Sequence, residues 1–196
     1  MFTIVASPAA SSDPHYNGLD PSDVTVTNLD DDVPGITVTP TSGLVTTEAG
    51  GTAEFTVALK TQPTANVAIG ISSSDLTEGT ADKASLTFTP GNWNEPQMVT
   101  VTGVDDFVAD GGVAYAIVTG AAVSADPNYN GVNPTNVPVT NTDNDVAGFT
   151  VTPTSGLVTT EAGGTAAFTV ALTSQPTADV GIGIASSDLT EGTVDK

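Results

Sequence analysis

The chain has 196 residues, with 23 aspartates and glutamates against 3 lysines and no arginine, so its formal net charge is −20. Proteins that bind nucleic acid or an anionic membrane surface need clustered basic residues, and Lys60, Lys83 and Lys196 lie far apart. The composition therefore excludes both classes of partner and favours a cation or plain solvent at the surface. No run of apolar residues approaches the roughly 18 that a membrane helix needs, so membrane insertion is not expected.

Seven segments between residues 35 and 142 alternate apolar residues with Thr or another small residue, which is the pattern of a half-buried strand. In chain order they are GITVTP, TAEFTVAL, NVAIGIS, SLTFTP, QMVTVTGV, AYAIVTG and NVPVTNT. Gly, Pro, Asn and Asp occupy the gaps, and no window has a helical period. This pattern predicts an all-β fold built from immunoglobulin-like antiparallel β-sandwich domains.

The sequence repeats itself with an offset of 113 residues, and residues 35–83 match residues 148–196 at 41 of 49 positions. A repeat of this length is typical of tandem domains and too long for a solenoid. The two partial repeats together lack a counterpart of residues 84–113. The predicted domains are residues 1–34, the C-terminal part of a preceding repeat; residues 35–147, a complete sandwich; and residues 148–196, the N-terminal part of a following repeat.

The acidic residues of the complete repeat follow alternate strands. Successive antiparallel strands run in opposite directions, so the loops after the first, third, fifth and seventh strands share one end of the sandwich. Carboxylates about 4 Å apart repel each other by about 1 kcal/mol even in water, and a divalent cation removes that repulsion. The pattern predicts a metal site at this end, with a solvated acidic surface as the alternative. Its candidate ligands are Glu48, Asp75, Glu78, Asp105, Asp106, Asp110, Asp143 and Asp145.

Calcium is the expected ion. Ca²⁺ accepts about 6–8 oxygen ligands in a flexible geometry that loops can supply, whereas Mg²⁺ demands a stricter octahedron. Zn²⁺ prefers His and Cys, and His15 is the only such residue in a chain that has no cysteine.

Further candidate ligands lie in the partial repeats. Glu161 and Asp188 are the counterparts of Glu48 and Asp75 in the third segment. The first segment closes on Asp30, Asp31 and Asp32, directly before Val33 and Pro34. Metal bound there would fasten the end of one sandwich beside the start of the next, and Pro34 limits the freedom of the linker.

The motifs of the complete repeat resemble those of a Calx-β domain. They are EGTA at 78–81, SLTFTPGNW at 85–93, VTVTGVDDFVADG at 99–111 and TDND at 142–145, with a glutamate ahead of them at position 48. More narrowly, the chain is similar to the Calx-β-like repeats of large bacterial extracellular surface proteins and adhesins. The resemblance implies a sandwich that binds Ca²⁺ at one end through an early glutamate, carboxylates after the middle strands and a terminal acidic triplet. In this chain Asn144 replaces the central acid of that triplet.

No catalytic arrangement is expected, so the chain is predicted not to be an enzyme. His15 aligns with Asn128 of the complete repeat, which indicates a surface turn residue. Asp105 and Asp106 are adjacent at a strand end, where they point in different directions and make a poor glycosidase pair.

The predicted function is structural: a calcium-rigidified spacer repeat of a secreted bacterial adhesin or surface fibre, located outside the cell. The predicted partners are neighbouring repeats of the same chain or of identical chains. One alternative is a subunit of a homo-oligomeric extracellular filament, in which neighbours complete the partial repeats by strand exchange. The other alternative is a calcium- or ligand-binding accessory module of a secreted enzyme.

Overall fold

A computed structural model describes residues 1–195, and contacts group the chain into a compact unit Met1–Val33 and a second unit that begins at Pro34. The first unit contains one antiparallel pair, β1 (Phe2–Ile4) and β2 (Val24–Val26). Among the described residues, no helix has the length and apolar character needed to cross a membrane.

The complete repeat folds as two packed sheets, which confirms the predicted all-β sandwich. Its strands are β3 (Ile36–Thr39), β4 (Leu44–Thr47), β5 (Thr52–Leu59), β6 (Val67–Ser73), β7 (Gly79–Ala81), β8 (Ser85–Phe88), β9 (Gln97–Gly103), β10 (Val113–Thr119), β11 (Val123–Ser124) and β12 (Val137–Thr142). One sheet has the order β3-β5-β9-β7. The other joins β8, β6, β10, β12 and β4, and the short β11 also pairs with β6.

All seven predicted strands are present, but the first is followed by a strand that the alternation did not indicate. The chain leaves β3 at Pro40, turns at Gly43, which has a φ of 75°, and continues as β4 in the opposite sheet. There β4 runs parallel to β12, so the otherwise antiparallel sandwich contains one parallel pair. Strand β4 has only four residues, which are too few to show a clear alternation of apolar and polar positions in the sequence.

The core lies between the two sheets and follows the period of the strands, since one face of each strand points at the other sheet. On β5 and β9 the buried positions are Phe55, Val57, Leu59, Val99 and Val101. On β6, β8, β10 and β12 they are Val67, Ile69, Ile71, Leu86, Phe88, Tyr115, Ile117, Val137 and Val139. Each such side chain contributes roughly 1.5–3 kcal/mol when fully buried, so the core holds the strand ends, and the loops on them, in fixed positions.

One end of the sandwich is closed by two loops that bind each other. The Tyr129 side chain is 1% exposed. Its hydroxyl donates to the carbonyl of Thr61 at 2.7 Å and accepts from the Thr61 N–H at 3.1 Å. Asp126 accepts from the Thr64 N–H at 2.7 Å. These loops follow β5 and β11, so they lie at the opposite end of β5 from Glu48.

The second unit continues into the next repeat with β13 (Phe149–Thr152) and β14 (Thr169–Leu172). These strands pair antiparallel with Phe149 opposite Leu172, the same register in which Ile36 of β3 lies opposite Leu59 of β5. Equal sequence therefore produces equal local pairing in both places.

Gly103, the last residue of β9, leaves no space for a side chain. A Cβ at this position would overlap the carbonyl oxygen of Thr47 and the side-chain oxygen of Asn141. We expect Gly103→Ala to destabilise the domain by about 1–3 kcal/mol, because backbone must move to admit the methyl group. Gly70→Ala on β6 is the matched control, since a Cβ there meets nothing within 4 Å. Thermal unfolding followed by circular dichroism measures both, and equal midpoints would contradict the prediction.

Candidate metal centre

Six carboxylates at one end of the sandwich form two separate triplets. The first triplet is Glu48, Asp143 and Asp145, and the second triplet is Glu78, Asp106 and Asp110. In each triplet, one oxygen from every residue lies within 4.8 Å of the others. Two oxygens that bind the same Ca²⁺ at about 2.4 Å can be at most about 4.8 Å apart. Each triplet therefore has the dimensions of a site for one cation.

The parallel pairing of β4 with β12 assembles the first triplet, since both strands end at the same edge of the sheet. Glu48 follows β4, and its N–H donates to the carbonyl of Thr142 at 3.1 Å. Its carboxylate accepts from the Asn144 N–H at 3.0 Å. Asp143 accepts from the N–H groups of Asp145 at 2.6 Å and Gly111 at 2.7 Å. The backbone thus fixes the positions of two of the three carboxylates.

The antiparallel pairing of β7 with β9 assembles the second triplet. Glu78 directly precedes β7, and the loop with Asp106 and Asp110 directly follows β9, so the two segments are adjacent. The N–H of Val104 donates to the carbonyl of Glu78 at 3.0 Å. Asp106 accepts from the N–H of Val108 at 2.7 Å, which orders the loop that carries Asp110.

Asn141 lies beneath the acidic end and was not predicted as a site residue. It is 1% exposed, and its amide nitrogen donates to the Val104 carbonyl at 3.0 Å and to Glu78 at 3.5 Å. Its amide oxygen accepts from the Thr46 hydroxyl at 3.0 Å. The asparagine therefore ties β4, β12 and the second triplet together. A signal was available in NVPVTNT, where Asn141 shares the inward face of Val137 and Val139.

Burial and neighbouring negative charges change the pKa of several of these carboxylates. Burial raises the pKa of Glu48, and the nearby Asp143 and Asp106 raise it further. Burial likewise raises the pKa of Glu78, to which Asp110 and Asp75 add. In contrast, the N–H groups of Asp145 and Gly111 lower the pKa of Asp143. The end of the domain thus combines carboxylates that resist ionisation with one that is held ionised.

The residues present fit a calcium ion. Every donor is an oxygen, which matches the preference of Ca²⁺ and not that of Zn²⁺. One carboxylate oxygen of Asp145 is buried without a hydrogen-bond partner in the described part of the chain. Burial, followed by the charge of Asp143, raises the pKa of Asp145. A buried carboxylate oxygen without a partner is costly, and a cation at the first triplet would supply the missing interaction.

Asp75 and Asp105 lie beside the triplets, not in them. Both are exposed. Asp75 accepts from the hydroxyl and N–H of Thr77 at 2.6 Å and 3.0 Å, which lowers its pKa. Asp105 accepts from the side-chain amide of Asn144 at 2.9 Å. The charges of these two residues act on the triplets from a distance, since Asp75 raises the pKa of Glu78 and Asp105 raises that of Asp145.

The candidates of the partial repeats are all exposed, and within residues 1–195 none of them joins a carboxylate triplet. Asp30 and Asp32, the counterparts of Asp143 and Asp145, contact each other through the N–H of Asp32 at 3.2 Å. Asp188 accepts from Thr190 as Asp75 does from Thr77. The remaining members of this group are Asp31 and Glu161. A triplet needs loops from both halves of a repeat, and each partial repeat contains one half.

Comparisons with known proteins give only distant likenesses. No protein-family model and no curated protein matches the chain. Among solved structures, the apo form of the Calx CBD1 domain is 18% identical, with a TM-score of 0.44, and the match covers 59% of this chain and 99% of that domain. The periplasmic chaperone SfaE is 8% identical with a TM-score of 0.44, and 57% of this chain covers 60% of it. Domains 4 and 5 of the S-layer protein SbsC are 22% identical with a TM-score of 0.36, over 62% of this chain and 59% of that one.

The raised pKa of Glu78 predicts a pH-dependent effect of its replacement. A carboxyl group with a raised pKa supports stability while it is protonated, and this contribution is lost as pH rises through the folded-state pKa. In metal-free buffer, Glu78→Gln should therefore gain stability relative to the original protein as pH rises from about 4 to 7. The control is Glu54→Gln, an exposed glutamate on β5 outside both triplets. Unfolding midpoints across this pH range measure the effect, and a constant difference between Glu78→Gln and the original protein would contradict it.

Proposed function

We propose that residues 35–147 form a non-catalytic, calcium-binding spacer domain of a bacterial extracellular surface protein. The observation that carries the proposal is the position of the first triplet. Asp143 and Asp145 belong to the segment that leads directly from β12 into the next repeat at Gly148. An ion held by this triplet would fix the last residues of one domain at the point where the next domain begins.

Contacts around the junction support a mechanical role for the bound ion. The carbonyl of Val146, one residue after Asp145, accepts from the hydroxyl of Thr173 at 2.6 Å. The carbonyl of Phe107, in the loop of the second triplet, accepts from the N–H of Gln175. Both acidic segments of the complete repeat therefore contact the start of the next repeat. Ordering these segments with calcium would reduce the bending between the two repeats.

The balance of charges supports regulation of the junction by calcium. Without an ion, the two triplets hold six carboxylates close together, and their mutual repulsion favours opening of the loops. A ligand that binds only the folded state stabilises that state by about 2.7 kcal/mol when its free concentration is 100 times its dissociation constant. The extracellular location follows from the resemblance to Calx-β-like repeats of bacterial surface proteins. Many extracellular modules bind calcium with dissociation constants of about 10⁻⁴–10⁻³ M, so we expect binding in the millimolar range.

Calcium should stabilise the protein through the first triplet. We expect millimolar Ca²⁺ to raise the unfolding midpoint, and Glu48→Gln to lose a large part of this increase because it removes a buried ligand. Isothermal titration calorimetry should show two sites in the original protein and one in the variant. Glu54→Gln, on the exposed face of β5, should behave as the original protein does.

Two outcomes would count against calcium binding. One is an unfolding midpoint that does not respond to Ca²⁺ or to EDTA, which would leave the acidic end as a solvated surface. The other is an equal loss of the calcium effect in Glu48→Gln and Glu54→Gln, which would indicate nonspecific screening of the net charge.

The spacer role predicts a calcium-dependent change in the dimensions of the chain. Small-angle X-ray scattering at low protein concentration should show a longer and less variable particle in Ca²⁺ than in EDTA. Asp145→Asn should weaken this response, because it removes a carboxylate of the first triplet at the junction. If calorimetry shows that the protein binds calcium but the scattering curves with and without calcium coincide, the spacer role is contradicted and calcium binding is not.

A further inference from the structure

Three buried polar side chains lie between the two triplets. They are Thr46 on β4, Tyr115 on β10 and Asn141 on β12, and they are 0%, 6% and 1% exposed. The Thr46 hydroxyl donates to the amide oxygen of Asn141 at 3.0 Å and lies 3.1 Å from the Tyr115 hydroxyl. Together the three residues form a connected unit, the polar bridge. Buried polar side chains that are connected in this way hold one another in fixed positions.

The polar bridge restrains the strands that lead into the first triplet. Thr46 and Asn141 lie opposite each other in the parallel pair of β4 and β12. Each precedes a carboxylate of that triplet by two residues, Glu48 on the one strand and Asp143 on the other. A close-packed interior transmits small displacements. The hydrogen bond between Thr46 and Asn141 therefore also restrains the two carboxylates.

The polar bridge contacts both segments that carry the second triplet. The Asn141 amide nitrogen donates to the carbonyl of Val104, where the loop of that triplet begins, at 3.0 Å. It also donates to the carboxylate of Glu78 at 3.5 Å. The Tyr115 hydroxyl lies against Gly79, the residue after Glu78, where a Cβ would overlap it. One connected set of side chains thus touches the segments of both triplets.

These contacts make the position of each triplet depend on the other. If the loop that begins at Val104 moves away, the buried amide of Asn141 loses a partner, which is unfavourable, and Thr46 is held less firmly. An ion that keeps the second triplet closed preserves these contacts and so favours the closed form of the first. By thermodynamic reciprocity, an ion in the first triplet has the same effect on the second.

Charge alone acts in the opposite direction. Burial raises the pKa of Glu48, and the charge of Asp106 in the second triplet adds to the rise, so the two triplets are close enough to interact. An ion in one triplet makes that triplet less negative, which weakens its contribution to the attraction of a cation by the other. Positive coupling between the sites therefore requires a contribution from structure.

We propose that the polar bridge positions the two triplets and couples them, so that Ca²⁺ in one triplet raises the affinity of the other. The inference rests on the proposed calcium binding and adds to it the residues that make the two sites act together. Thr46, Tyr115 and Asn141 are positioning residues, since they act on an ion through the carboxylates that they hold in place.

Isothermal titration calorimetry measures the coupling in the original protein and in Glu48→Gln and Glu78→Gln, which each keep one triplet. We expect the overall association constant for two ions to exceed the product of the two single-site constants about fivefold or more. Three ionised carboxylates have a charge of −3, which one Ca²⁺ reduces to −1 and one glutamine replacement to −2. The two ions of the original protein thus bind beside triplets of charge −3 and −1, and those of the variants beside triplets of charge −2, so the effect of charge cancels. A ratio of one or less would overturn the coupling.

Thr46→Val tests whether the polar bridge carries the coupling, because it removes the hydroxyl and keeps the β-branched shape. In this background the ratio should fall to about one. Thr46→Ser keeps the hydroxyl and should keep the ratio, which a loss of packing alone would not explain. The matched control is Thr119→Val, which removes a buried hydroxyl that donates to the Thr135 carbonyl at 3.0 Å, at the end of β10 far from Asn141. Equal ratios in Thr46→Val and Thr119→Val would overturn the role of the bridge.

Two backbone N–H groups report on the triplets without calcium. The N–H of Glu48 donates to the Thr142 carbonyl at 3.1 Å beside the first triplet. The N–H of Val104 donates to the Glu78 carbonyl at 3.0 Å beside the second. Their hydrogen-exchange rates in EDTA therefore measure how often each triplet opens.

Thr46→Val should speed the exchange of both N–H groups about fivefold more than Thr119→Val does, the factor that corresponds to one buried hydrogen bond. Faster exchange of only one of them, or of neither, would overturn the positioning role even in a protein that binds calcium. Absence of Ca²⁺ binding by the original protein would instead contradict the proposed function, and the coupling with it, whatever the exchange rates.

Discussion

The parallel pairing of β4 with β12 is the contact on which the acidic end depends. It joins the beginning of the repeat to its end, from Leu44 opposite Val139 to Thr47 opposite Thr142. Because parallel strands end at the same edge, the residues that follow them meet, which places Glu48 beside Asp143 and Asp145. The pairing of β4 with β12 therefore both joins the beginning of the repeat to its end and assembles the first triplet.

The charges at this end oppose the fold that brings them together. Glu48 and Glu78 are 3% and 6% exposed, and a buried carboxylate is unfavourable unless it is paired. Asn141 and the N–H of Asn144 offset part of this cost through hydrogen bonds. The buried oxygen of Asp145 has no such compensation among the described residues. The core therefore stabilises an arrangement of carboxylates that an added cation would complete.

Alternation of apolar and small residues predicted seven strands of the complete repeat and, through their alternating directions, which loops share an end, but it did not indicate β4, β7 or β11. It did not distinguish the carboxylates that converge from those that flank them. Asp105 and Asp106 are adjacent in the chain, yet Asp106 belongs to the second triplet and Asp105 bonds to Asn144. The sequence indicated that these two side chains point in different directions, but not which of them lies beside Glu78 and Asp110. Asn141 was not predicted for a different reason. Alternation places it on the inward face of β12, but only the fold brings its amide to the Val104 carbonyl and to Glu78.

The most conspicuous acidic motif, Asp30 to Asp32, illustrates why local charge is a poor guide to a site. Asp30 and Asp32 occupy the positions in the preceding repeat that Asp143 and Asp145 occupy in the complete one, and yet they are exposed and join no triplet within the described residues. What distinguishes the second pair is a glutamate that precedes it by nearly a whole repeat and is brought back by a parallel strand. The same reasoning applies to the apolar residues, since Ile4 and Ile117 differ in burial only through the strands that cover them. In this chain, the environment of an acidic or an apolar residue is determined by which distant half of a repeat lies against it.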